Sequence, residues 1–291
     1  MLKVLDVDGA VRRVKGGWES TGQPWSYDED RYRRVREARE REQSAMLAYL
    51  DTGECRMRFL REQLDDPEAA DCGRCDNCGG LTIDAAVSAE AVEQAEARLA
   101  RPGTPIEPRK MWPTALANLG IDLKGKIREP ADEGRAVARL TDLGHGQALR
   151  ALFRPDTPDG PVPSGLVQAV LTLLDDWRPD VDAIVVVESF TRPTLTDDFA
   201  AGLSRRLQVP VVGRWAIVDP DVEPGRGSFN SAQRVAAVGR RSALQAEVPP
   251  GARVLLVDDL VVTGWTLTLA TRAIRAAGAD AVLPLTLALQ S

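Results

Sequence analysis

The sequence predicts a multidomain chain. A mainly α module with four cysteines is expected over residues 1–80, a small α+β domain over 81–155, and an α/β domain with a parallel sheet over 156–291. Three observations predict this. The only four cysteines fall in one N-terminal stretch with the spacing C-x16-C-x2-C-x2-C, formed by Cys55, Cys72, Cys75 and Cys78. The segment PDTPDGPVPSG, residues 155–165, holds four prolines and two glycines and interrupts any regular element. Beyond it, short apolar runs alternate with amphipathic helical patterns, as in parallel strands covered on both faces.

From the N-terminus, LKVLDVDGAVRRV reads as a short β-hairpin, with Asp8-Gly9 supplying the two positive-φ positions of a type I′ turn. SYDEDRYRRVREAREREQSAMLAYLDTG reads as one long helix. Ser26 and Glu29 form a capping box at its start, and Gly53 can terminate it. Tyr32, Val35, Ala38, Ala45, Met46 and Tyr49 make an apolar stripe, while Asp30–Arg34, Arg33–Glu37 and Glu37–Arg41 pair charges on the wet faces. CRMRFLREQL is a second helix that delivers Cys55 in its first turn.

After Gly79-Gly80 the pattern changes. Ser88 caps a helix running to about Leu99, and RPGTPIEPRKMWP is a proline-rich, basic connector. TALANLG is a short helix stopped at Gly120, IDLKGKI and GRAVARL are two short strands, and residues 144–153 are helical. Past the breaker, the expected order is helix 166–177, strand 183–187, helix 196–207 and strand 209–218. A polar loop follows, then helix 231–244, strand 254–257, helix 267–277 and strand 281–287. No internal repeat is visible.

At 291 residues the chain can hold two or three compact units. No apolar run approaches the roughly 20 residues of a membrane span, and the first 30 residues lack the layout of a signal peptide. The chain therefore reads as cytoplasmic, where a cysteine cluster points to a metal rather than to disulfides. A net charge of −6 argues against a surface coated in positive charge. The one sustained basic window outside the first helix runs from Arg101 to Arg128, with six basic residues against Glu107 and Asp122. A single histidine, His145, excludes any mechanism that needs two imidazoles.

Two-residue gaps let a short turn aim successive sulfurs at one centre, and the distant Cys55 closes a tetrahedron. That donor set suits a closed, structural Zn2+ site rather than a catalytic one, and an iron–sulfur cluster ranks below it. The stretch MLAYLDTGECRMRFLREQLDDPEAADCGRCDNC, Met46–Cys78, closely resembles the zinc-binding module of RecQ-family DNA helicases. The resemblance implies a module that packs on the second motor lobe and helps bind duplex DNA, with the N-terminal hairpin as the tail of that lobe. The chain contains no G-x-x-x-x-G-K-[ST] and no acidic helicase box, so it cannot cradle ATP as a motor does. What the resemblance then implies is the C-terminal portion of a longer, ATP-dependent 3′–5′ helicase of DNA repair. Such a protein is nucleoid-associated, has DNA as its partner, and carries its motor domains N-terminally in the same polypeptide.

In that family a winged helix commonly follows the zinc module, and residues 81–155 hold its place. The resemblance offers Arg109, Lys110, Lys124 and Lys126 as salt-sensitive DNA contacts, and IDLKGKI with GRAVARL as the hairpin wing. The competing reading is a family-specific packing domain whose lysines keep it soluble.

VLLVDDLVVTGWTLT, Val254 to Thr268, is the second strong motif. A buried strand ends in two carboxylates, and a tight loop then opens a helix whose N-terminus can receive a phosphate. The motif and its flanks resemble type I phosphoribosyltransferases over roughly residues 160–291, and FNSAQRVAAVGRR is similar to their ComF-type branch. By that resemblance Asp258 and Asp259 hold the ribose hydroxyls, and Val262, Thr263, Gly264, Trp265 and Thr266 cradle the 5′-phosphate of phosphoribosyl pyrophosphate. Arg192, in VVVESFTRPT, is the implied cation of the pyrophosphate loop. Asp219–Arg234 is the implied catalytic loop, with Arg226 or Arg234 covering the pyrophosphate, and Mg2+ is the implied counter-ion. Val262 departs from the usual hydroxyl residue, and Trp265 is bulky for its place.

Two functions are expected on these grounds. The first is the C-terminal region of a RecQ-like helicase carrying a phosphoribosyltransferase-like domain. The second is a stand-alone phosphoribosyltransferase, or a nucleotide sensor, with a zinc-stabilised appendage. Whether Met1 is a native start separates them.

Overall fold

The computed structural model describes residues 2–79, 86–222 and 230–290. They fall into two compact units, Met1–Ser88 and Ala89–Ser291.

The N-terminal unit opens with helix α1 (Leu2–Val7), not with the first arm of a hairpin. Gly9 has φ +76°, and the amides of Asp8, Gly9 and Ala10 donate to the carbonyls of Val4, Asp6 and Leu5. A left-handed glycine closes a helix as readily as it makes a type I′ turn, which is why Asp8-Gly9 misleads. The hairpin lies one element later: β1 (Val11–Val14) pairs antiparallel with β2 (Gly17–Ser20), Val14 facing Gly17. Helix α2 (Glu29–Asp51) is capped by Asp28, whose carboxylate accepts from the Arg31 amide at 2.9 Å, rather than by a Ser26–Glu29 box. Thr52, not Gly53, ends it. Helix α3 (Arg56–Glu62) follows, with Cys55 at its N-cap.

The second unit begins with α4 (Ala89–Leu99), β3 (Thr104–Ile106) and a 3₁₀ turn at Leu116–Leu119, which Gly120 ends as expected. Then come β4 (Gly134–Arg139), α5 (Gly146–Leu152), α6 (Ser164–Trp177), β5 (Ala183–Val187), α7 (Pro193–Leu207) and β6 (Val211–Ile217). The chain finishes with α8 (Ser231–Arg241), β7 (Ser242–Ala246), β8 (Arg253–Val261), α9 (Trp265–Ala276) and β9 (Ala281–Leu289). The helix expected to reach residue 244 stops at Arg241, and β7 begins at Ser242.

The seven strands form one sheet in the order β3-β4-β9-β8-β5-β6-β7, with antiparallel pairs only at its two edges. Side-chain alternation assigns each strand to two cores. Val185, Val187, Val254 and Leu256 face α8 and α9, where Val235, Val238, Leu267 and Ile274 pack. Ile184, Val186, Leu255 and Val257 face α6 and α7, where Leu173, Leu195, Phe199 and Leu203 pack.

The separate winged-helix-like domain expected over 81–155 is not what forms. GRAVARL supplies β4, which pairs in parallel with β9 inside the sheet, and Ala136, Val137 and Ala138 are buried there. Such an apolar run needs cover on both faces, which a solvent-exposed wing lacks. IDLKGKI makes no strand beyond a single Met111–Lys126 bridge, and instead packs Ile121, Leu123 and Ile127 on the first core. The proline-rich stretch at 155–165 is thus a connection inside a compact unit, not the boundary between two.

From β5 the chain steps outward to β6 on one side, then returns through β8 to β9 on the other. The sheet therefore reverses its winding between β5 and β8, and the carboxyl ends of those strands frame the crevice where such folds bind ligands.

Candidate functional site

In the N-terminal unit the four cysteine sulfurs all lie within 4.8 Å of one another. Cys72 and Cys78 are 3.6 Å apart, Cys75 and Cys78 3.3 Å, and Cys55 and Cys75 3.9 Å. Four thiolates around one Zn2+ at about 2.3 Å stand ~3.8 Å from each other. All four are free thiols, and their separations are well beyond a disulfide's ~2 Å. The donor set and spacing therefore fit a tetrahedral metal ion.

The surroundings favour negative sulfur at Cys55 and Cys75. The Arg58 amide, then the Cys72 amide, holds the Cys55 thiol below its ordinary pKa despite its burial. Burial pushes Cys75 up, but the Arg56 amide, the Cys78 side chain and the Cys78 and Asn77 amides outweigh it and bring the thiol down to about 6. Its neighbour Cys78, hydrogen-bonded first of all to Cys75, is pushed up to about 11. Crowded thiolates repel, so only a cation lets all four ionise together. The knuckle is tied to the helices by Asn77, whose Nδ2 donates to the Thr52 and Glu54 carbonyls at 2.6 and 2.8 Å, and by the Arg56–Asp76 pair at 2.9 Å.

The second unit holds a cleft of about 310 Å³ at the carboxyl ends of β5 and β8. Asp258 and Asp259 line it although both are more than nine-tenths buried. The Ser189 hydroxyl donates to Asp259 Oδ2 at 2.8 Å, and the Asp259 amide donates to Asp258 Oδ1 at 2.8 Å. Val262, Thr263, Gly264 and Thr266 form the adjacent wall. Gly264 has φ +74° and turns the chain directly into α9, whose first amides have no partner within the helix. The opposite wall comes from Glu188 to Thr191, Trp215, Arg234 and Arg241.

Of the residues expected at this site, Asp258, Asp259, Val262, Thr263, Gly264, Thr266 and Arg234 line the cleft. Two others point elsewhere. Arg192 is buried, and its guanidinium donates to the carbonyls of Arg154, Thr157 and Pro158, so it latches the segment before α6 instead of facing the cleft. Trp265, only 3% exposed, lies in the core against Trp112, with ring centroids 6.1 Å apart and planes 15° from parallel. Arg226 lies outside the described residues.

The expected nucleic-acid contacts are also divided. Arg109 donates twice to the Thr263 carbonyl, at 2.9 and 2.6 Å, and lies 4.6 Å from the Trp265 ring centroid. It is therefore engaged in bracing the cleft loop. Lys110, Lys124 and Lys126 are exposed, and Lys124 lies 3.8 Å from Asp122.

Residues 21–79 match the RecQ zinc-binding family. Over 154 residues the chain is 30% identical to an adenine phosphoribosyltransferase of Albidiferax ferrireducens, an alignment spanning 49% of this chain and 78% of that protein. The chain belongs to the phosphoribosyltransferase family. Similar solved structures include the adenine phosphoribosyltransferase of Saccharomyces cerevisiae, at 21% identity and TM-score 0.31, covering 49% of this chain and 86% of that one. A purine phosphoribosyltransferase from Pyrococcus horikoshii matches at 18% identity and TM-score 0.29, covering 43% and 70%.

Glu188 and Phe190 enter the cleft from the VVVESFTRPT stretch, whereas Trp215 and Arg241 line it without being singled out by the sequence reading. Arg241 carried a usable signal. It falls three residues after Val238 and six after Val235, on the buried stripe of α8, where a charge is unexpected. Trp215 carries none, because it reaches the cleft only through the pairing of β5 with β6: Glu188 donates its amide to the Trp215 carbonyl at 3.0 Å and accepts from the Ile217 amide at 2.8 Å.

Proposed function

We propose that the C-terminal unit binds phosphoribosyl pyrophosphate in the cleft at the ends of β5 and β8. The observation that carries this is the buried pair Asp258–Asp259 beside the 262–266 loop and the α9 N-terminus. The carboxylates accept the vicinal ribose hydroxyls, and the loop amides with the helix N-terminus receive the 5′-phosphate. Ser189 holds Asp259 in place, and Arg109 braces the loop through Thr263. Chemistry at this site is displacement of diphosphate at ribose C1 by a nucleophilic acceptor, through a cationic, oxocarbenium-like state that the two carboxylates stabilise. Mg2+, where bound with the diphosphate, would neutralise the leaving group. Calorimetry with phosphoribosyl pyrophosphate and Mg2+ tests the reading. The wild type is expected to bind, and Asp258→Asn/Asp259→Asn to lose at least tenfold in affinity. No heat from the wild type would discard it.

The N-terminal unit supports the accompanying assignment: a structural Zn2+ held by Cys55, Cys72, Cys75 and Cys78 in the C-terminal portion of a RecQ-like 3′–5′ DNA helicase. There the phosphoribosyl site acts as a transferase or as a nucleotide sensor for the motor. Support comes from the sulfur geometry together with the match over residues 21–79. This chain alone is expected to bind about one zinc, to hydrolyse no ATP, and to bind duplex DNA modestly, with affinity falling as salt rises. Salt-independent retention, or none at low salt, would remove DNA from the assignment. The relative's 30% identity favours a second reading, a stand-alone transferase. An in-frame motor upstream of residue 1 in the coding DNA decides between them.

A further inference from the structure

Four buried side-chain polar atoms lack a hydrogen-bond partner among the described residues: Trp215 Nε1, Arg241 Nη2, Trp265 Nε1 and Thr271 Oγ1. Two of their residues, Trp215 and Arg241, line the cleft. Arg241 is the consequential one, since it is charged and only 5% exposed. A buried cation with an idle donor is costly unless something completes it.

The half of the guanidinium that is satisfied defines the direction of the half that is not. Nη1 donates to the carbonyls of Pro220, at 3.0 Å, and Val222, just beyond β6. The guanidinium carbon lies 4.9 Å from the centroid of Phe190, just beyond β5. Anchored at one nitrogen and stacked on a ring, the planar fork holds Nη2 in a preset position.

Sheet order sets the distance to the other anion-binding element. Strands β8, β5 and β6 are consecutive neighbours, so the 262–266 loop after β8 and Arg241 beside β6 stand two strand spacings apart, roughly 10 Å. Asp258 and Asp259 stand on β8 just before that loop, and Ser189, just beyond β5 and donating its hydroxyl to Asp259, falls between the loop and Arg241 in sheet order. A ligand matching this order carries an anion at each end and hydroxyls between. We infer that Arg241 is the anion-binding residue of the cleft's far pole, and that its Nη2 receives an oxygen of the diphosphate end of the ligand. This rests on the phosphoribosyl reading for the ligand's identity, but not for the anion site itself.

The test uses calorimetry on the full chain with Mg2+ and three separate probes: inorganic diphosphate, ribose 5-phosphate and phosphoribosyl pyrophosphate. Wild type, Arg241→Gln and Arg241→Lys are compared, with melting curves alongside. Arg241→Gln should weaken diphosphate and phosphoribosyl pyrophosphate at least tenfold and leave ribose 5-phosphate within twofold, and Arg241→Lys should fall between. Unchanged diphosphate binding in Arg241→Gln, or an equal loss of all three probes, overturns the inference, the latter because it marks a latch on Pro220 and Val222. If Arg241→Gln does not fold, Arg241→Lys decides: a loss selective for diphosphate supports the inference, and full retention sinks it. Diphosphate binding that depends on Arg241, without any binding of ribose 5-phosphate or phosphoribosyl pyrophosphate, would refute the phosphoribosyl reading and leave the anion site standing. A wild type that ignores diphosphate overturns the anion site.

Discussion

The two units of this chain are folded by different forces. In the second, a sheet buried on both faces separates two apolar cores, and residues such as Leu255, Leu256, Ile274 and Leu285 are fully buried. In the first, Cys55 is the one buried apolar residue among those described, while Val35, Met46, Leu47 and Leu50 of α2 remain exposed. Besides the Tyr49–Phe59 and Tyr27–Tyr32 ring contacts, its ties are polar: Asn77 on two carbonyls, Arg56 on Asp76, Arg58 on Asp71, and Asp8 held by Arg31 at 2.6 Å. Exposed ion pairs contribute about 0–1 kcal/mol each, too little to offset the ordering of so long a segment. The first unit thus has a four-sulfur cluster, a candidate zinc site, where the second has two apolar cores.

The largest expected effect breaks this comparison most directly. Chelation, or Cys72→Ser, should remove the metal and unfold the N-terminal unit, since structural zinc supplies roughly 10–16 kcal/mol of apparent folding energy in small modules. Metal analysis and circular dichroism should show helix lost while the melting transition of the second unit stays in place. A chelator-resistant first unit would refute the contrast. Leu255→Ala, at a fully buried position of the central strand, should cost the second unit about 2–5 kcal/mol by denaturant melts and leave zinc content unchanged.

A smaller effect sharpens the picture of how α7 is started. Its N-cap residue, Arg192, makes no side-chain cap, and Asp159 supplies one from the preceding loop by accepting from the Thr194 and Leu195 amides at 2.8 and 3.2 Å. Burial raises the Asp159 pKa, but the Thr194 hydroxyl and the amides of Thr194, Leu195 and Gly160 outweigh it and hold the carboxyl below its usual value. A depressed folded pKa means stability that is present above the unfolded value, about 4, and lost as pH falls through the folded one. Asp159→Asn should therefore lower stability by ~0.5–1 kcal/mol at neutral pH, with the gap to wild type closing in acid. A gap that persists in acid would mean that the charge is not what matters.

Much of the site was legible because its signals are local. The two-residue cysteine gaps, the apolar run ending in Asp258-Asp259, and the glycine that starts α9 each need only a few consecutive residues to be interpreted. Elements failed where one residue type serves two conformations, as Gly9 does, or where a strand's partner is distant, as with β4 and β9. The separate domain expected over 81–155 failed for the second reason.

By itself the sequence determined that four thiols meet at one centre and that two carboxylates stand before a phosphate-sized loop, because turn geometry and strand periodicity act over a few residues. Only the tertiary structure decided which cations face the cleft. Arg192 satisfies backbone carbonyls, Arg109 braces the loop from outside, and Arg241 holds one nitrogen unsatisfied within the cleft wall. A side chain's direction depends on partners that the fold brings from far along the chain, and no local pattern encodes them.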